Sequence, residues 1–250
     1  MYTIFSPQFL SPRARFASVV AMAVSGLILL WLGNFTNLDL RLAEAMFDER
    51  THSFPWQHAW LTERFGHEIA KRVLIGLALV PIVICVGDFV MRRPLLTPWW
   101  RLRCQVIAAC AVLIPTITSL LKQASSSHCP WDLRRFGGSE TYYRLLDHVP
   151  AWVDAGKCLP GGHASSALWL IGLTVLWLPH RPKAALLVAA GLLVPGLALG
   201  WMQQMRGAHF LSHNLWSAWI ACAVLIAVLE FVQWYVSRQS GGTEARKVAI

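Results

Sequence analysis

The chain has 250 residues, of which 56% are hydrophobic and only 14% charged, with thirteen Trp and a formal net charge of +9. Soluble domains carry about 25% charged residues, so the composition excludes an ordinary soluble domain and points to a membrane protein. The excess of Lys and Arg does not indicate nucleic acid, because it sits in short loops between apolar runs, where membrane orientation accounts for it.

In chain order, Arg13 and Arg15 precede the first apolar run. No small-residue cleavage site follows it, so the run reads as a retained span and not a cleaved signal. Apolar runs fall at roughly 17–36, 73–91, 102–121, 163–179, 184–203 and 214–236, each near the ~20 residues that a helix needs to cross ~30 Å of hydrocarbon. The fourth is short and begins among polar residues. Pro81, Pro115 and Pro195 lie inside spans, where neighbouring helices can satisfy the freed carbonyls. The expected fold is all-α: a six-transmembrane-helix bundle forming one integral membrane domain over 1–250.

Short-loop charge sets the orientation. Arg13 and Arg15, then Arg92, Arg93, Arg101 and Arg103, then Arg181 and Lys183, and finally Arg238, Arg246 and Lys247 all fall on one side. The positive-inside rule makes that side cytoplasmic, with both termini there. Segments 37–72, 122–162 and 204–213 are then outside. The first carries Phe54, Trp56, Trp60, Leu61 and Phe65 among charged residues. Part of it reads either as an amphipathic helix on the interface or as a loop helix folded against the extramembrane face.

Polar residues beside a membrane core are costly unless they act. Three clusters stand out, all outside. They are Lys122 with Ser125–Ser127, His128, Cys129, Pro130 and Trp131; Pro160-Gly161-Gly162-His163-Ala164-Ser165; and Arg206-Gly207-Ala208-His209-Phe210-Leu211-Ser212-His213. Lys122 and Arg206 suit phosphate oxygens. Gly161 and Gly162 permit close backbone approach ahead of a helix N-terminus, where free N–H groups attract anions. His163, His209 and His213 can move protons near neutral pH. Together they offer phosphoryl transfer with a histidine nucleophile or base. No carboxylate cluster or zinc-type helix motif accompanies them, so neither a metal nor another cofactor is expected.

These residues resemble the type 2 phosphatidic acid phosphatase (PAP2) superfamily, whose pattern is Lys-x6-Arg-Pro, then Pro-Ser-Gly-His, then Ser-Arg-x5-His-x3-Asp. Here the first motif reads Lys122, six residues, Cys129-Pro130, and the second reads Pro160-Gly161-Gly162-His163. The third keeps His209 but has Met202, Gln203 and His213 where Ser, Arg and Asp are usual. The resemblance covers about 70–236, the expected active-site core. It implies that His209 attacks phosphorus and that His163 protonates the leaving oxygen. Lys122, Arg206 and the Gly161 and Gly162 amides would hold the equatorial oxygens. The departures mark a divergent subfamily. Arg206, three residues before His209, is expected to replace Gln203's missing cation from the same helical face. Arg134 or Arg135 is expected to replace the cation lost at Cys129. His213 takes the place of the orienting Asp, with Asp147 or Asp154 supplying negative charge from the loop.

The implied activity is a metal-independent membrane phosphatase acting on a lipid phosphate or diphosphate. Family candidates are phosphatidic acid, phosphatidylglycerol phosphate, an isoprenoid diphosphate and lipid A. A lipid phosphotransferase is the enzymatic alternative, and a non-catalytic lipid-phosphate binder or transporter the other. The expected location is a bacterial inner membrane with the site on the periplasmic side. In that oxidising compartment Cys129 and Cys158 are expected to form a disulfide tying the first motif to the second. Cys85, Cys104, Cys110 and Cys222 read as small apolar packers. His52, His58, His67 and His148 read as solvated polar residues, and Ser125–Ser127 as an ordinary loop.

Overall fold

The computed structural model describes residues 8–91 and 95–248, with side chains described to Arg238. Arg92 and Arg93 lie outside the described residues, as do the side chains of Arg246 and Lys247. The described residues form helices α1 (Pro12–Phe35), α2 (Leu38–Met46), α3 (Ala70–Val90), α4 (Pro98–Gln123), α5 (Gly162–Leu168), α6 (Pro182–Met205) and α7 (Leu211–Val248). A π-helical stretch, Leu61–Ile69, runs directly into α3, and a 3-10 stretch, Trp169–Leu176, continues α5. Leu133 and Glu140 make only an isolated bridge, and no strand occurs among the described residues.

Five helical segments are long and apolar enough to cross a membrane: Pro12–Phe35, Leu61–Val90, Pro98–Gln123, Pro182–Met205 and Leu211–Arg238. The chain is an integral membrane protein. The expected fourth span is a shorter apolar helix, Gly162–Leu176. Its second half is drawn out as 3-10 helix, which rises faster per residue, so the segment still reaches about 26 Å. It is the bundle's central element, packed by α4, α6 and α7, with Ala164, Leu168, Ile171 and Val175 fully buried. Helices in lipid associate through close packing more than through hydrophobicity, which favours small residues at their contacts. Gly172 meets that need: a Cβ there would sit 2.9 Å from Cys110 Cβ of α4. By contrast Phe16, Phe89, Leu186 and Leu187 point outward, as lipid-facing positions should.

Pro81, Pro115 and Pro195 do lie inside continuous helices. The basic residues at one end of the bundle have internal partners as well. Arg15 pairs with Glu230, and Arg101 with Asp88. Arg103 donates to the Leu178 carbonyl at 2.6 Å and stacks over Trp99 at 3.7 Å.

At the opposite end, α2 and the loops build a small second core from Ala43, Phe54, Leu133, Phe136 and Phe210. Phe47 packs edge-on against Phe54 and Phe136, with ring centroids 5.2 and 5.3 Å apart. The aromatic stretch 54–65 is therefore not one helix. Phe54 enters this core, Trp56 lies in turns, and Leu61 and Phe65 belong to the π-helical start of α3.

Candidate active site

The second core roofs a polar site assembled from helix ends. The beginning of α3, the end of α4, the start of α5 and the α6–α7 connection all meet there, which is what the up-and-down order of the helices requires. The structure thus brings the three polar clusters to one end of the bundle.

His209 is 2% exposed and central. Its ring lies 6.3 Å from that of His163 and 5.8 Å from that of His213, centroid to centroid. Lys122, in the last turn of α4, faces the start of α5: a Cβ on Gly162 would stand 3.9 Å from Lys122 Nζ. Both ring nitrogens of His163 are buried and have no hydrogen-bond partner among the described residues. Burial holds His209 well below the ordinary imidazole value, and charge on His213, Lys122 and His163 pushes it the same way. A hydrogen bond with the Cys158 backbone opposes this. His209 is therefore a neutral imidazole, the form that has a lone pair to give.

A disulfide joins Cys129 to Cys158, with Cα atoms 5.4 Å apart. Cys158 Sγ lies 3.4 Å from His209 Nδ1, so the brace packs directly on that ring. These two sulfurs and His209 are the one group of three metal-ligand atoms gathered among the described residues, within 4.8 Å of one another. As a disulfide the sulfurs are not thiolates, and the set does not fit a metal in this state.

The family model for the PAP2 superfamily matches residues 103–237, more than half of the chain. The chain belongs to the PAP2 superfamily. It is also 22% identical over 232 residues to the lipid A 4'-phosphatase of Francisella tularensis subsp. novicida (strain U112), covering 87% of this chain and 100% of that protein. No solved structure matches it.

The family's missing groups are replaced differently from what the sequence led us to expect. Arg206 and His209 do not share a helical face, because α6 ends at Met205 and Gly207 turns the chain at φ +74°. The Arg206 guanidinium is held by protein: it donates to the Gln57 carbonyl at 2.8 Å, Gln203 Oε1 at 3.0 Å and Glu63 Oε1 at 3.4 Å. Its charge still reaches His163 and His67. Gln203, at the PAP2 arginine position, is thus a partner of Arg206 and not a phosphate ligand. Arg134 and Arg135 both lie away from the site. The first donates to the Ser139 carbonyl at 2.8 Å and the second pairs with Glu44.

Gly161 and Gly162 also divide. The Gly161 amide already donates to the His213 carbonyl at 3.0 Å, and a Cβ there would lie 2.6 Å from Asn214 Oδ1. Gly161 therefore locks the second motif onto α7, while Gly162 faces Lys122. The Ser125–Ser127 carbonyls accept from the amides of Lys157, Gly156 and Cys158, so that run is structural.

Asp147 is also elsewhere, capping the Arg144 amide at 2.8 Å. The acidic group on the His213 side is Asp39 of α2, which with His213 and His128 borders a cavity of ≈ 20 Å³.

Two residues at the site escaped the sequence. His67, in the π-helical stretch, has its ring 4.2 Å from that of His163. Lys71, one helical turn later, lines a cavity of ≈ 420 Å³ with Lys122, Ser119 and His163. The remaining walls are mostly apolar, including Ile75, Leu79 and Ile82 of α3. The legible signal was a His and a Lys at i, i+4 just where an apolar run begins.

Proposed function

We propose that the protein is a lipid phosphatase that works through a phosphohistidine on His209, with its site on the non-cytoplasmic side of a bacterial inner membrane. The observation that carries this reading is the facing pair His209 and His163, with Lys122 beside them. Their ring centroids are 6.3 Å apart, so both imidazoles border one small space beside Lys122.

In the first step a His209 nitrogen attacks phosphorus, the P–O ester bond breaks, and His163 gives its proton to the departing alkoxide. With Nδ1 held against Cys158, Nε2 is the attacking nitrogen. In the second step His163 takes a proton from water, the oxygen attacks phosphorus and the P–N bond breaks. Inorganic phosphate leaves and His209 is restored. Lys122 and the Gly162 amide stabilise the charge on the equatorial oxygens, a role that positioned donors fill in phosphoryl transfer. Arg206 adds positive field from behind Gln203. His213 replaces the family Asp as the neighbour that fixes the His209 ring, and no step needs a metal.

The ≈ 420 Å³ cavity, walled largely by apolar side chains, suits the lipid part of such a substrate. The relative named for lipid A makes a phosphorylated saccharolipid the first substrate class to test. Purified protein should release phosphate from at least one member of a panel of lipid A, phosphatidic acid and isoprenoid diphosphate. H209A should lower that rate about a thousandfold or more while the protein stays folded. Undiminished phosphate release by H209A overturns the nucleophile assignment, and no release from any lipid by the wild type overturns the function.

A further inference from the structure

Cys129 and Gln203 leave two cation positions of the PAP2 pattern without charge, and the arginines nearest in sequence do not fill them. Lys71 lies on α3, before the residues that the family model matches. It lines the same cavity as Lys122 and His163. Three basic groups, Lys71, Lys122 and His163, therefore line one space, and the His67 ring lies 4.2 Å from that of His163.

Glu68 and Glu63 offset part of the charge at His67, but both are also held by other cations. Glu68 pairs with Arg72 at 3.6 Å, and Glu63 is shared between His58 and Arg206, each at 3.4 Å. Among the described residues neither Lys71 nor Lys122 takes part in an ion pair. Two ammonium groups converging on a partly buried cavity repel each other unless an anion lies between them. His163 adds two buried ring nitrogens that likewise lack partners there. Such a constellation is complementary to an anion such as a phosphate group.

We infer that Lys71 is a phosphate-binding residue of this site, supplying from α3 the cation that the motif positions lack. It grips the same phosphate as Lys122, from the α3 wall of the cavity. The inference rests on the phosphatase reading only for what the phosphate is attached to.

The test uses the full chain in detergent, with K71M and K71R beside the wild type. Two quantities are measured: binding of inorganic phosphate, and kcat/KM on the best lipid phosphate. K71M should weaken inorganic phosphate about tenfold to a hundredfold, the value of one charge-assisted contact, and lower kcat/KM by a similar factor. K71R, which keeps the charge, should stay within about threefold on both, given the looser fit of a longer planar cation. An unchanged thermal midpoint for K71M separates lost binding from lost folding. Wild-type phosphate binding by K71M overturns the inference, whatever happens to lipid turnover. Should the wild type hydrolyse no lipid but bind inorganic phosphate in a Lys71-dependent way, the phosphatase reading falls and this site stands. A wild type that binds no inorganic phosphate overturns it too.

Discussion

Asp39 accepts a hydrogen bond from the Ser212 amide at 2.9 Å, across 173 residues of sequence. Helix α2 therefore caps the first turn of α7, where amides would otherwise lack partners. That turn carries His213 and leads directly from His209. Burial raises the Asp39 carboxyl above its ordinary value of 3.8, and the hydrogen bonds from Ser212 only partly offset it.

Asp39→Ala should cost about 1–2 kcal/mol, as removal of a helix cap does. It should also lower turnover, because the α6–α7 connection loses its anchor. Asp39→Asn retains an acceptor and should keep the fold. A group whose folded value is raised holds its proton while the unfolded chain gives it up. Its stabilisation is thus complete below 3.8 and lost as pH rises through the raised value. The difference in thermal midpoint between Asp39→Asn and wild type should therefore move in favour of Asn as pH increases. A difference that does not change with pH contradicts this.

His209 gives the opposite sign. Its folded value is depressed from 6.5, so it stays neutral while an unfolded chain would protonate. Two consequences follow from this. As the proposed nucleophile, His209 should remain competent below pH 6.5, placing the acid limb of kcat/KM that belongs to it at lower pH. Stability should fall as pH drops through 6.5, where the unfolded state takes up the proton. A non-titrating His209→Gln should lose part of that acid sensitivity in thermal melts. An acid limb of kcat/KM at 6.5 or above, or His209→Gln melts that keep the full acid sensitivity of the wild type, rejects the buried neutral imidazole.

The membrane character, the gathering of the three polar clusters at one end of the bundle and most helix ends were legible because each rests on local pattern: apolar run length, Pro and Gly punctuation, and motif spacing. What failed was three-dimensional substitution. Arg206 looked equivalent to a lost arginine by counting residues, but Gly207 breaks the helix on which the count depended. Arg134 and Arg135 were near in sequence yet are held by Ser139 and Glu44. The helpful groups, His67, Lys71 and Asp39, come from segments distant in sequence, and only tertiary packing delivers them. The shortened fourth span has a related cause. Its apolar run predicts a helix but not that half of it is 3-10.

The two glycines of the second motif should separate cleanly. Gly161→Ala forces a methyl to 2.6 Å from Asn214 Oδ1 and disturbs the amide bond to His213. Overpacking of this kind costs about 1–3 kcal/mol. Gly162→Ala meets Lys122 Cδ at 3.8 Å, an ordinary contact, and should fold normally. Its effect should fall on phosphate affinity, through Lys122. Thermal melts together with inorganic phosphate binding for both variants check the division. A stable Gly161→Ala with an unfolded Gly162→Ala would reverse the assigned roles.

The disulfide offers the last prediction. It closes a separation of 29 residues between the first and second motifs. A cross-link of that loop length stabilises by about 3–4 kcal/mol. Its sulfur also packs against His209 Nδ1 at 3.4 Å. Reduction, or Cys129→Ser with Cys158→Ser, should lower the melting temperature and slow turnover together, because the brace packs directly on His209, the proposed nucleophile. Reduction alone has a further consequence that the serine pair lacks. It exposes two thiols within 4.8 Å of an imidazole nitrogen, a ligand set suited to zinc. Micromolar Zn²⁺ should therefore inhibit the reduced wild type, be reversed by a chelator, and leave both the oxidised protein and the double-serine variant unaffected. Equal zinc sensitivity in all three forms would show that zinc acts elsewhere, and that the Cys129, Cys158 and His209 atoms do not come together on reduction.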